Sequence, residues 1–101
     1  MAERSPILRI VEEDNNVMHT IVKTTPGDVT VMMNVAREPG RLVLSQIHVE
    51  GNGLTRAIIK RAARELGLME GVDEVVLRGG VRTSGASPGT TPKPIFVKVG
   101  Q

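Results

Sequence analysis

Two segments of the chain carry residue types suited to proton transfer and phosphate binding. The first holds His48, which shares a side of the stretch Arg41 to Glu50 with Gln46 and Glu50, opposite Ile47 and Val49. A histidine on the polar face of a strand can exchange protons with a substrate near neutral pH. The plainer alternative is a surface histidine with a hydrogen-bonded neighbour. The second segment runs Gly79-Gly80-Val81-Arg82-Thr83-Ser84-Gly85-Ala86-Ser87-Pro88-Gly89. It sets the Arg82 guanidinium beside the Thr83 and Ser84 hydroxyls, among glycines that let backbone N–H groups approach a ligand. Those groups recognise phosphate, although a stretch of this composition also serves as a plain surface connection. Arg56, Lys60 and Arg64 recur at four-residue spacing and form a basic helix face, which reads either as a contact for a polyanion backbone or as an ordinary solvated side. Arg78 and Lys93 join them as candidate substrate contacts. His19 lies in line with Val17 and Ile21, and that pattern predicts packing.

Other chemistries lack their residues. The 101 residues include no cysteine, so thiolate metal sites, zinc nucleobase deamination and a cysteine nucleophile are excluded. The two histidines form no H-x-x-x-H pair, and the acidic residues fall in expected turns (Glu12, Glu13, Asp14) or a helix–strand connection (Glu70, Asp73, Glu74), so no metal site is expected. Gly51-Asn52-Gly53 gives a G-x-G without the third glycine or a Walker lysine. It bears a faint likeness to the pyrophosphate cradle of acyl-CoA transferases, whose earlier helices have no room here. One Phe, no Trp and no Tyr argue against base-stacking modules. The net charge of +2 is unevenly placed: residues 1–50 carry five Lys/Arg and seven Asp/Glu, residues 51–101 eight and four. A basic second half permits a polyanionic substrate.

The elements that must position these residues follow from periodicity. Ile7 to Val11, Val17 to Thr24, Val29 to Val35 and Arg41 to Glu50 read as strands, parted by Asn15-Asn16, Pro26-Gly27-Asp28 and Glu38-Pro39-Gly40. In the fourth, apolar parity changes from Leu42 and Leu44 to Ile47 and Val49, which predicts a bulge near Ser45. Leu54, Ile58, Ala62 and Leu66 predict one amphipathic helix over about 53–67, capped by Asn52 and ended at Gly67. Glu74 to Arg78 and Ile95 to Val99 read as strands either side of a loop from Gly79 to Pro92. The expected fold is a single α+β domain over residues 1–101, a mainly antiparallel β-sheet with the helix packed on one face. No apolar run approaches the roughly 18 residues of a membrane span, and no signal peptide is read at the N-terminus.

From the His48 strand onward, and above all in the Gly79–Gly89 stretch with Pro92-Lys93-Pro94-Ile95, the sequence resembles the C-terminal toxin domains of bacterial polymorphic toxin systems of the contact-dependent inhibition and Rhs type. Many of these are small ribonucleases of the barnase/EndoU/colicin/RelE-like kind. The resemblance implies a metal-independent endoribonuclease without cofactor, cutting RNA (tRNA is one candidate) by 2′-OH attack. His48 would be the acid/base, Arg82 the phosphate binder, and Thr83 or Ser84 a hydrogen-bond donor. It further implies action in the cytoplasm of a target cell and a cognate immunity protein as partner, with no membrane or metal involved. The family's initial helices are absent, since residues 1–40 read as strands. Two other readings stand beside it: a non-catalytic assembly module docking through the Gly79–Pro92 loop, and an ADP-ribosyl- or acyl-transferase.

Overall fold

Alternation builds the sheet. In β3 (Asp28–Glu38), Val29, Val31, Met33 and Val35 are buried, while the intervening side chains point to the other face. The computed structural model describes residues 6–79, 81–82 and 93–100. β1 (Leu8–Asp14), β2 (Val17–Lys23), β3 and β4 (Arg41–Glu50) form an antiparallel meander. Asn15 and Asn16 join β1 to β2, both with positive φ (51° and 66°). That is the geometry of a two-residue type I′ turn, whose twist suits a hairpin and which asparagine tolerates. β1 therefore continues through Glu12, Glu13 and Asp14, which the sequence placed in a turn.

After β4 the chain crosses over through α1 (Arg56–Glu70) and returns as β5 (Glu74–Leu77), parallel to β4. A two-residue strand, β6 (Val81–Arg82), then pairs parallel to β4 further along, and β7 (Ile95–Lys98) closes the sheet antiparallel to β5. The order is β1-β2-β3-β4-β5-β7, with β6 beside β4. The fold is thus mixed α+β, mostly antiparallel, with one helix on one face, although part of the expected 79–92 loop is strand.

The helix begins and ends three residues later than its periodicity indicated. Thr55, rather than Asn52, is the N-cap: its side chain accepts a hydrogen bond from the Ile58 amide at 3.2 Å. Gly67 is not the terminator. It sits inside the helix, buried, where a Cβ would lie 2.4 Å from Val99 Cγ2 and 2.9 Å from Val75 Cγ2. The helix passes through it and stops at Gly71, whose left-handed conformation (φ 71°) lets its N–H reach the carbonyls of Gly67 and Leu68.

The core lies between α1 and the sheet, built from aliphatic side chains such as Met18, Val22, Val29, Leu42, Leu44, Leu66 and Val75. With Ala62 and Ala63 on the helix and no aromatic to fill the space, a cavity of about 40 Å³ remains beneath it. Thr20, wholly buried, donates its hydroxyl to the Val31 carbonyl at 2.9 Å. Two polar clips hold the helix in place. Glu65 accepts the amides of Ile7 and Leu8 at 2.8 and 2.9 Å, tying α1 to the β1 edge. Arg37 at the end of β3 bridges Glu13 of β1 and Glu70 of α1 at 2.7 and 2.6 Å. The Arg37 hydrogen bonds hold the Glu13 carboxyl below the usual carboxylate range and push the guanidinium still higher. Glu70 and Glu74, expected to be merely solvated, are both ion-paired, Glu74 with Arg41 and Lys98.

Candidate functional site

The helix covers one face of the sheet and leaves the other free of it. The bulge in β4 decides which face His48 joins. The β3–β4 register passes from Asn34↔Ser45 to Met32↔His48, so the single Met33 faces two residues of β4. Gln46 takes a left-handed conformation there (φ 50°) and accepts a hydrogen bond from Asn34 Nδ2 at 2.5 Å. Leu42 and Leu44 before the bulge and Ile47 after it all face the core, as the change of parity predicted. His48 and Glu50 consequently stand on the helix-free face, both well exposed, with His48 Nε2 3.7 Å from Glu50 Oε1.

β6 then brings two residues of the second segment, Val81 and Arg82, alongside. Ile47 pairs with Val81, and His48 pairs with Arg82. Two positions 34 apart in sequence are thereby register neighbours on adjacent strands, and neighbouring strands lie about 4.8 Å apart. Thr83 and Ser84 lie outside the described residues. Arg78 is exposed at the junction of β5 and β6, its amide donating to the Leu44 carbonyl at 2.8 Å, and Lys93 is exposed ahead of β7.

The basic helix residues are not on this face. Arg56, Lys60 and Arg64 belong to α1, on the opposite side of the sheet from His48, and Arg64 Nε reaches the Lys98 carbonyl at 3.4 Å. A substrate bound at His48 meets them only by passing around the sheet edge. The Gly51–Gly53 turn has a packing explanation: a Cβ on Gly53 would lie 2.6 Å from side-chain atoms of both Pro26 and Thr24. The glycine is needed for that close approach between the turn and the β2–β3 connection.

Set against known proteins, this chain matches no family model, no curated protein and no solved structure.

The geometry of the helix-free face includes a residue the sequence assigned to packing. In β2 it is Met18, Thr20 and Val22 that are buried beneath the helix, so half-buried His19 stands on the same face as His48. The register runs Glu12↔His19, His19↔Met32, Met32↔His48 and His48↔Arg82. One row across five strands thus sets two histidines either side of Met32, with a carboxylate position at one end and an arginine position at the other. Both faces of β2 are similarly apolar in sequence, and Thr20 among the inward residues hides the correct parity. The correct parity shows only in the sheet, where Met18 pairs with buried Met33. Towards the β7 end the same face carries the Glu38–Arg41–Glu74–Lys98 charge ladder and the register row Val43–Val76–Phe96, whose Phe96 is exposed. Among the described residues no helix is long and apolar enough to cross a membrane, and no three His, Asp or Glu side chains are grouped to hold a metal ion.

Proposed function

We propose that the helix-free face is the working surface of a metal-independent endoribonuclease of the toxin type, acting in the cytoplasm of a target cell. The observation that carries this reading is the β4–β6 register, which sets Arg82 beside His48. RNA brings its own nucleophile. A base is needed for the 2′-OH proton, and fixed positive charge and donors for the phosphorane that forms as the 2′ oxygen attacks. His48 takes the proton and Arg82 meets the phosphate oxygens, with Thr83 or Ser84 as a further donor. Arg78 and Lys93, exposed near the two ends of the Gly79–Pro92 stretch, supply charge for the flanking backbone. Arg56, Lys60 and Arg64 have at most a peripheral part, since the sheet separates them from His48. A cognate immunity protein would cover the face with acidic groups.

The test is purified protein with total cellular RNA in EDTA, beside His48→Ala and Arg82→Ala. Discrete fragments ending in a 2′,3′-cyclic phosphate are expected from the wild type. The His48 variant should be slower by about 10²–10⁴-fold, the usual worth of a positioned acid or base. RNA left intact by the wild type, or cut equally by the His48 variant, refutes the assignment.

A further inference from the structure

We propose that His19 is the second proton-transfer residue of this site, the acid that protonates the departing 5′ oxygen; the assignment rests on the ribonuclease reading. Transfer through a phosphorane needs a base at the 2′ oxygen and an acid at the 5′ oxygen, on opposite sides of phosphorus. Two hydrogen bonds of about 2.8 Å plus the axis of the phosphorane put the two proton-carrying atoms about 9 Å apart at most. His48 therefore needs a partner at that range on its own face.

Register selects it. Met32 is the direct partner of both His19 and His48. At a strand spacing of about 4.8 Å, the two histidine backbones stand about 9.6 Å apart, so the imidazoles reach the required range when they incline toward each other over Met32. The other candidates near His48 in the sheet fail. Glu50 is 3.7 Å from the His48 imidazole on the same strand, too near to lie across a phosphate from it. Arg82 keeps its proton throughout. The Asn34 amide is engaged with Gln46. Met32 between the histidines is apolar and partly exposed (38%), a floor over which a phosphate can sit without a competing proton donor. Glu12 is the register partner of His19 on its far side.

The step balances. The 2′ O–H proton passes to His48, an O–P bond forms at the 2′ oxygen, the P–O5′ bond breaks, and the 5′ oxygen takes the proton of the His19 imidazolium. The products are a 2′,3′-cyclic phosphate and a 5′-OH, and the histidines exchange protons with water to reset.

The experiment compares an RNA dinucleotide with its analogue carrying sulfur in place of the bridging 5′ oxygen, since a thiolate leaves without protonation. Wild type, His19→Ala, His19→Gln and His48→Ala are assayed, each checked for a wild-type melting profile; the glutamine variant keeps the volume of the half-buried side chain. The His19 variants should lose 100-fold or more on the ordinary substrate and come within about tenfold of wild type on the sulfur analogue. His48→Ala should stay impaired on both. A His19 variant as active as wild type, or equally impaired on both substrates, overturns the acid role and leaves the ribonuclease reading standing. A wild type that leaves total cellular RNA intact as well as both dinucleotides removes that reading itself, and the His19 role with it; one that cuts cellular RNA but neither dinucleotide is assayed on a cellular fragment carrying the same single sulfur at the cut bond.

Discussion

Gly67 offers the sharpest test of how α1 is seated. In a solvent-facing helix interior, Gly→Ala stabilises by about 1 kcal/mol, because alanine loses less backbone entropy. At Gly67 the added methyl would sit 2.4 Å from Val99 Cγ2 and 2.9 Å from Val75 Cγ2, where carbon atoms need about 3.5–4 Å. Both neighbours are β-branched and stiff, and Val75 is fully buried in the sheet, so relief requires the helix or the β7 end to move by roughly 1 Å. Overpacking of this kind costs about 1–3 kcal/mol. Set against the propensity gain of about 1 kcal/mol, Gly67→Ala should be net destabilising by up to about 2 kcal/mol, a fall in melting temperature of up to roughly 8–16 °C for a chain of this size. Urea denaturation followed by circular dichroism measures it. Val99→Ala in the Gly67→Ala background should recover part of the loss, because it removes the closer obstruction, with a coupling energy of at least about 0.5 kcal/mol. A Gly67→Ala variant that melts at or above wild type, with no coupling to Val99, would refute the close helix–sheet approach.

Three further outcomes follow from the contacts described. Arg37→Ala should cost up to about 1 kcal/mol at pH 7, the ceiling for exposed pairs. Because Arg37 depresses the Glu13 carboxyl, the stabilisation is present above the unfolded carboxylate range and is lost as pH falls through the depressed folded value. The gap in urea midpoint between wild type and variant should therefore narrow on acidification below about pH 4; a gap constant from pH 7 to pH 3 would contradict the pairing with Glu13. Glu65→Ala leaves the Ile7 and Leu8 amides without their acceptor and should cost about 1–3 kcal/mol, with faster hydrogen exchange at those two amides as the local sign. At the bulge, Gln46→Val should lose about 1–2 kcal/mol in chemical denaturation, since a β-branched side chain is strained at φ 50°, whereas Gln46→Gly should be tolerated; equal stability of the two would rule out the left-handed bulge.

Much of this architecture was legible because strand parity is a two-state signal. β3 and β4 were read correctly from Val29–Val35 and from the switch between Leu44 and Ile47. The helix was placed correctly but shifted, because Asn52 and Gly67 are good caps locally and only the sheet shows that Gly67 is small for packing. His19, expected to pack, is half-buried but on the helix-free face; its face was not legible because β2 has a buried threonine among its inward residues and apolar neighbours among its outward ones. His48 is singled out by the polar face of one strand alone, and the structure puts it on the helix-free face. The partnership with Arg82 rests on a two-residue parallel pairing that no local pattern announces. Glu13 and Glu70 looked like solvated acids because their common partner, Arg37, lies more than twenty positions from each.

The site depends on a single residue of register. Were β4 regular throughout, positions 42, 44, 46 and 48 would share one face, and His48 would point beneath the helix among Leu42 and Leu44. The extra residue at the bulge turns Ile47 inward to complete the core and delivers His48 and Glu50 to the open side. The neighbouring strand makes a corresponding adjustment: between Leu44↔Leu77 and Ile47↔Val81, β4 advances three residues while the chain beside it advances four. Both irregularities fall at the same level of the sheet, and beyond them the ladder resumes with His48 opposite Arg82. A bulge of this kind costs ladder hydrogen bonds and, at Gln46, a backbone conformation unfavourable by about 1–2 kcal/mol. The packing of Ile47 accounts for turning the strand inward there. Under the proposed ribonuclease reading, what the paired irregularities add is the pairing of His48 with the Arg82 position.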